Sequence, residues 1–179
     1  MSPANPAAEV VALLTERGQT LSFCESLTAG LGSATIAEIP GASAVLRGGL
    51  VTYATDLKVG LAGVDKHLID LEGPVSPMTA RAMALGAQRV CHSDWAVSFT
   101  GVAGPDPQDG HAPGEVFLAV AGPDGVSSER ARIDGRMHLI DGIEHFAGDR
   151  AQIREWSVQA GLYALVNRIQ GTNGKGESL

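Results

Sequence analysis

Aromatic residues make up only 4% of this 179-residue chain, and there are just two cysteines. No uninterrupted apolar run approaches the roughly 18 residues that a membrane-spanning helix needs, which argues against a membrane protein. Basic residues are also scarce. With 13 Lys and Arg against 20 Asp and Glu, the net charge is −7, too acidic for the clustered basic face that nucleic acid or an anionic membrane requires. Any phosphate the protein binds must therefore be held by a few local groups. Cys24 and Cys91 sit in apolar segments without metal-ligand spacing and read as reduced, buried thiols. The segment Met1-Ser2-Pro3-Ala4-Asn5-Pro6 has no basic leader region, so a cytoplasmic location is expected.

What the chain does have is 23 glycines, 44% apolar residues and 18% charged residues, the composition of a compact fold with many tight turns. One domain is expected over residues 1–168, followed by a flexible polar tail at 169–179. Apolar periodicity predicts a helix over 7–17 closed by Gly18, a strand over 21–24 and a helix over 28–39 stopped by Pro40-Gly41. Further strands are expected at 50–54 and 95–100, with a helix from Pro77 to about Cys91 capped by Ser76. Residues 106–114 read as a loop. Strands 115–121 and 126–133 are expected to form a hairpin about Gly122-Pro123-Asp124-Gly125, with a further strand at 143–146. Asp149-Arg150-Ala151-Gln152 is a capping box opening a last helix with Ile153, Trp156, Ala160, Tyr163 and Val166 on one face. Helices alternating with early strands, then a hairpin, predict an α/β fold: three α/β/α layers around a mixed sheet of about five or six strands.

Chemistry concentrates in two stretches. In Cys24-Glu25-Ser26-Leu27-Thr28-Ala29-Gly30 a strand breaks into a helix start, which places Ser26 on the turn. A serine nucleophile needs a base and an oxyanion site, and the amides of Leu27, Thr28 and Ala29 at a helix N-terminus could supply the latter. Alternatively, Ser26 or Thr28 simply caps the helix. In the second stretch, from Gly48 to Lys58, Lys58 is the candidate base, provided burial lowers its pKa; an exposed, solvated lysine is the competing reading. Pairing with Asp56 or Glu25 would raise that pKa and defeat the role. Tyr53 either orients Lys58 or relays a proton, or is a half-buried strand residue.

Thr100-Gly101-Val102-Ala103-Gly104 follows a buried strand, where glycines let backbone amides approach a ligand; a plain tight turn is the alternative. Arg150 is a cation in the first turn of a helix, against the macrodipole, so it calls for a bound anion such as phosphate, or for a salt bridge to Asp149 or Glu144. His67, His92, His111, His138 and His145 show no metal spacing, and Asp106, Asp109 and His111 lack a fourth ligand, so neither a metal nor another cofactor is expected.

Taken in order and spacing, Glu25-Ser26-Leu27-Thr28-Ala29-Gly30, Gly48-Gly49-Leu50-Val51-Thr52-Tyr53, Lys58, Thr100-Gly101-Val102-Ala103-Gly104-Pro105 and Phe146-Ala147-Gly148-Asp149-Arg150 resemble the CinA C-terminal domain family. The resemblance runs from about residue 7 to 168. It implies a three-layer α/β/α fold and the activity of the family's nicotinamide mononucleotide deamidases, which release ammonia and nicotinate mononucleotide in pyridine nucleotide salvage. By motif position it implies Ser26 as nucleophile and Lys58 as base, with Tyr53 and Thr100 as polar groups near the reacting amide. Thr28, Gly30, Gly101 and Gly104 would join the substrate site, and Arg150 would hold the phosphate. The chain departs from the pattern at Ala29, where the family usually has glycine, and at Ala54-Thr55-Asp56, where it often has Ser-Asn-Glu. Expected partners are a small pyridine nucleotide and a second copy of the chain in a symmetric dimer, since helix faces of Ala and Leu suit one. The alternatives are a non-catalytic nucleotide-binding or regulatory module of the same fold, and an amidase for another small carboxamide.

Overall fold

The computed structural model describes residues 5–171. Helix α1 (Pro6–Arg17) starts on an Asn5 cap that accepts from the Ala7 amide, and ends at Gly18 with φ 61°. Then follow β1 (Leu21–Glu25), α2 (Leu31–Ala37), a short 3-10 turn (Ala42–Ala44), β2 (Leu46–Val51), α3 (Thr55–Gly60) and α4 (Lys66–Glu72). Helix α5 (Pro77–Cys91) begins as expected, with the Ser76 hydroxyl accepting from the Thr79 amide and proline in the first turn. Strands β3 (Trp95–Gly101), β4 (Val116–Gly122) and β5 (Gly125–Arg130), the hairpin β6 (Met137–Ile140) and β7 (Ile143–Phe146), and α6 (Arg150–Gly171) complete the chain.

The main sheet has five strands in the order β2-β1-β3-β4-β5; β2, β1 and β3 are parallel, while β4 and β5 run antiparallel. Strand alternation divides the core in two. Leu21, Phe23, Trp95, Val97, Phe99, Leu118 and Val120 face α1, α2 and α6, whereas Cys24, Ala96, Ala119 and Ala121 face α4 and α5. The second face is built of small residues, and α5 answers with Ala80, Ala84 and Ala87, so helix and sheet approach closely. These are the three α/β/α layers and mixed sheet that the alternation of elements predicts; among the described residues, no helix is long and apolar enough to cross a membrane.

Several boundaries differ from expectation. Helix α2 spans Leu31–Ala37 rather than 28–39, because 26–30 form a turn in which the Ala29 amide bonds the Ser26 carbonyl. Strand β2 begins at Leu46, not 50: Gly48 and Gly49 look unlike strand residues, yet they pair with Ser22 and Phe23, and a Cβ on Gly49 would collide with Ser33 Oγ of α2. Helices α3 and α4 were not expected, being too short to show a helical period. Strand β5 stops at Arg130, short of 133, and β6 appears as an unexpected partner for β7. Cys91 is only half-buried, and Tyr163 is 41% exposed on α6, off the apolar face assigned to it. Helix α6 runs through 169–171 of the segment assigned to the tail, while the rest of that segment, 172–179, lies outside the described residues, as does 1–4.

Two substitutions test this packing. A Cβ on Gly161 of α6 would enter the Phe99 ring, so Gly161→Ala should cost about 1–3 kcal/mol of overpacking in urea denaturation. Ala29 holds φ 49°, a left-handed conformation that disfavours a side chain, so Ala29→Gly should stabilise by roughly 0.5–1 kcal/mol, against the usual cost of added glycine.

Candidate active site

Strands β2, β1 and β3 run parallel, so their carboxyl ends lie along one edge of the sheet, where open α/β sheets place ligands. Ser26 follows β1, Thr52 and Tyr53 follow β2, and Thr100 and Gly101 close β3. Helix α3 turns back over this edge and inserts Lys58, which is only 2% exposed. Lys58 Nζ lies 3.0 Å from Ser26 Oγ and 3.0 Å from the Thr52 carbonyl oxygen. The alcohol and the amine, 32 residues apart in sequence, are thus in direct hydrogen-bond contact.

Burial pushes the Lys58 pKa below its ordinary 10.5. Cys24 is the nearby group that would push it back up, but burial raises that thiol to about 11 despite its contact with Thr52 Oγ1 at 3.5 Å. The thiol therefore stays neutral and offers Lys58 no anion. Nor does Glu25. Its carboxylate, fully buried, accepts from the amides of Gly30, Gly32 and Ser33 and from Ser33 Oγ at 2.9–3.0 Å. Helix α2 thus has its N-terminus capped by Glu25 rather than by Ser26 or Thr28, which leaves the Ser26 hydroxyl to Lys58.

One pocket gathers Ser26, Tyr53, Lys58, Thr100, Gly101, Gly104 and Arg150, seven of the residues assigned to the site from sequence. Thr28 and Gly30 are not on its wall. Thr28 is fully buried, its Oγ1 without a hydrogen-bond partner among the described residues, and Gly30 serves α2 by donating to Glu25. Thr100 is buried and its hydroxyl donates to the Pro74 carbonyl at 2.6 Å. Tyr53 does not orient Lys58: it is 53% exposed, and its hydroxyl accepts from Arg150 Nη2 at 2.8 Å. Arg150 Nη1 donates to the Gly104 carbonyl at 2.7 Å. No carboxylate pairs with Arg150 among the described residues, since Asp149 caps α6 with Gln152 and Glu144 lies 3.8 Å from Arg132. An exposed guanidinium at the pocket rim, already aimed by two oxygens, remains open to an anion.

Asp106 and Gln108 also line the pocket, and neither was assigned to a substrate site from sequence. Their loop is held at its base by Glu115, with Arg130 Nη1 at 2.8 Å and His111 Nδ1 at 3.0 Å. Burial works against the Glu115 carboxylate, but the hydrogen bonds from Arg130 and His111 outweigh it and hold the group below the usual carboxylate range. Arg154 was missed as well. Four residues beyond Arg150 on α6, it grips the other rim by donating to the carbonyls of Leu27 and Thr28, each at 3.0 Å. The spacing of two arginines one helical turn apart is the signal that could have flagged it.

The family model for the CinA C-terminal domain matches residues 4–169. A CinA-like protein of Frankia casuarinae is 39% identical over 160 residues, covering 89% of this chain but 34% of its own length, so the chain spans about a third of such relatives. Among solved structures, the competence/damage inducible protein CihA of Agrobacterium tumefaciens is 30% identical with a TM-score of 0.80, covering 93% of this chain and 97% of that one. A CinA superfamily protein of Klebsiella pneumoniae, 22% identical, shares the fold with a TM-score of 0.83 over 94% of this chain and 99% of its own.

The lowered Lys58 pKa has a stability signature. Between its folded value and 10.5 the unfolded chain binds the extra proton, so this group makes stability rise with pH across that window. Relative to Lys58→Met, the wild type should gain urea resistance as the pH is raised from neutrality to the ordinary lysine value of 10.5; a constant difference between the two over that range would show no shift.

Proposed function

The chain belongs to the CinA C-terminal domain family, and on that premise we propose that it is an amidohydrolase that converts nicotinamide mononucleotide to nicotinate mononucleotide and ammonia. The observation that carries this reading is the 3.0 Å contact between Ser26 Oγ and a buried Lys58 Nζ, both lining one pocket. Supporting it, Arg150 stands on the same pocket wall with a guanidinium suited to a phosphate.

In the reaction, Ser26 Oγ forms a bond to the carboxamide carbon while its proton passes to Lys58 Nζ. The carbonyl π electrons move onto oxygen, and the oxyanion accepts hydrogen bonds from backbone amides of the 26–30 turn. When the oxyanion collapses, the C–N bond breaks, and Lys58 returns the proton to the departing nitrogen as ammonia. Water then attacks the acyl carbon as Lys58 takes one of its protons, the C–Oγ bond breaks, Lys58 passes that proton to Oγ to restore Ser26, and the acid leaves as a carboxylate with its proton lost to solvent. Deep burial favours the neutral amine that both steps need.

A second reading concerns the substrate rather than the chemistry. Thr55, which stands where relatives of the family pattern often carry asparagine, lines the pocket, so a different small carboxamide could fit in place of the nicotinamide nucleotide. Ammonia release from nicotinamide mononucleotide, compared with the phosphate-free riboside, decides between them. The wild type should hydrolyse the nucleotide, and Ser26→Ala and Lys58→Met should each abolish turnover with little change in melting temperature. Arg150→Ala should raise KM for the nucleotide about ten-fold or more while leaving the riboside unaffected, the loss expected for one charge-assisted hydrogen bond. Absence of turnover with every carboxamide would instead favour a binding or regulatory module.

A further inference from the structure

We propose that Arg154 is a positioning residue that holds the backbone of the Ser26 turn, and that the amide of Leu27, the turn residue beside Ser26 on the pocket wall, receives the oxyanion. The inference rests on the acyl-serine chemistry proposed above but not on the identity of the carboxamide. Its starting observation is the state of the turn itself. Within 26–30, the Ser26 amide bonds the Phe99 carbonyl, the Ala29 amide bonds the Ser26 carbonyl, and the Gly30 amide bonds Glu25. The amides of Leu27 and Thr28, directly after the nucleophile, have no hydrogen bond among the described residues. Thr28 is fully buried off the pocket wall, whereas Leu27 lines the pocket, so the unbonded Leu27 amide is the donor beside the serine that an oxyanion requires.

Their direction follows from peptide geometry. In a planar trans peptide the carbonyl and the following N–H point opposite ways, so a donor that fixes the carbonyl also fixes the N–H. Arg154 Nε holds the Leu27 carbonyl at 3.0 Å, and therefore turns the Thr28 N–H away from α6. Arg154 Nη2 holds the Thr28 carbonyl at 3.0 Å and so fixes the Ala29 N–H, which donates to the Ser26 carbonyl and thereby sets the direction of the Leu27 N–H in that same peptide. Arg154 donates from the α6 side of the turn, whereas Lys58 approaches Ser26 Oγ from α3. A planar fork reaching two successive carbonyls is a task for arginine that lysine's single ammonium does not reproduce.

One helix thus carries two arginines with separable duties. Arg150 faces the anionic end of the substrate and governs binding, whereas Arg154 does not itself line the pocket and acts only through the turn it holds. Truncating it should therefore lower kcat and spare KM, the reverse of truncating Arg150.

The test uses the full chain and two readouts. Steady-state hydrolysis of nicotinamide mononucleotide gives kcat and KM. The second-order rate of labelling by a fluorophosphonate gives Ser26 reactivity without any nucleotide: Oγ bonds to phosphorus, fluoride leaves, and the Oγ proton goes to Lys58. Arg154→Ala should lower kcat and the labelling rate together, about ten- to a hundred-fold, with KM unchanged, and millimolar guanidinium should restore part of both. A merely structural role would not be rescued by guanidinium, and unchanged kcat and labelling would overturn the proposal. If the alanine variant fails to fold, Arg154→Lys decides: a folded lysine variant with wild-type labelling overturns the proposal, and one slowed about ten-fold supports it. Wild-type protein that is labelled at Ser26 but leaves the nucleotide intact would sink the substrate assignment while the Arg154 comparison still stands.

Discussion

A primary amine kept out of water between a serine hydroxyl and a peptide carbonyl is the constraint on which the site depends. Lys58 can be placed there only because two unrelated parts of the chain end at the same sheet edge, β1 delivering Ser26 and β2 delivering the Thr52 carbonyl. An ammonium in that position would be poorly solvated, so burial itself favours the neutral base. The neighbouring groups respect this condition. Cys24 stays a neutral thiol, and Glu25, a fully buried carboxylate, is bonded by amides of the α2 start and not by lysine.

Rigidity in the turn comes from opposite directions. Glu25 anchors the start of α2 from below, while Arg154 holds the Leu27 and Thr28 carbonyls from α6. The same helix sends Arg150 across to Gly104 and Tyr53, so α6 braces both rims. Its own position is secured by packing: Ile153, Trp156, Ala160 and Val166 enter the larger core, and Gly161 lies against Phe99. Placing the polar groups on rigid elements keeps a site of this kind in register.

Much of the architecture was legible where local rules act alone. The Gly18 stop, the Ser76-Pro77 start and the Asp149–Gln152 capping box each appear where the residues put them, because a cap is satisfied within a few residues. The same reasoning failed at 28–30, where a helix start was expected. A carboxylate at the end of the preceding strand took over the capping, and the helix moved to Leu31. It failed again at Gly48-Gly49, whose extended conformation is imposed by pairing with β1 and by the nearness of α2 rather than by propensity.

The sequence by itself determined the layered α/β character, most helix and strand positions, and a set of candidate polar site residues from Ser26 to Arg150. Periodicity, caps and motif spacing are local properties and survive without coordinates. Which of those residues meet was decided only in three dimensions. Ser26 and Lys58 come into contact and Arg150 reaches Tyr53, while Thr28 and Gly30 turn away from the pocket. Proximity and desolvation arise from elements distant in the chain packing together, and a pKa or a hydrogen bond across a sheet edge exists only once they have.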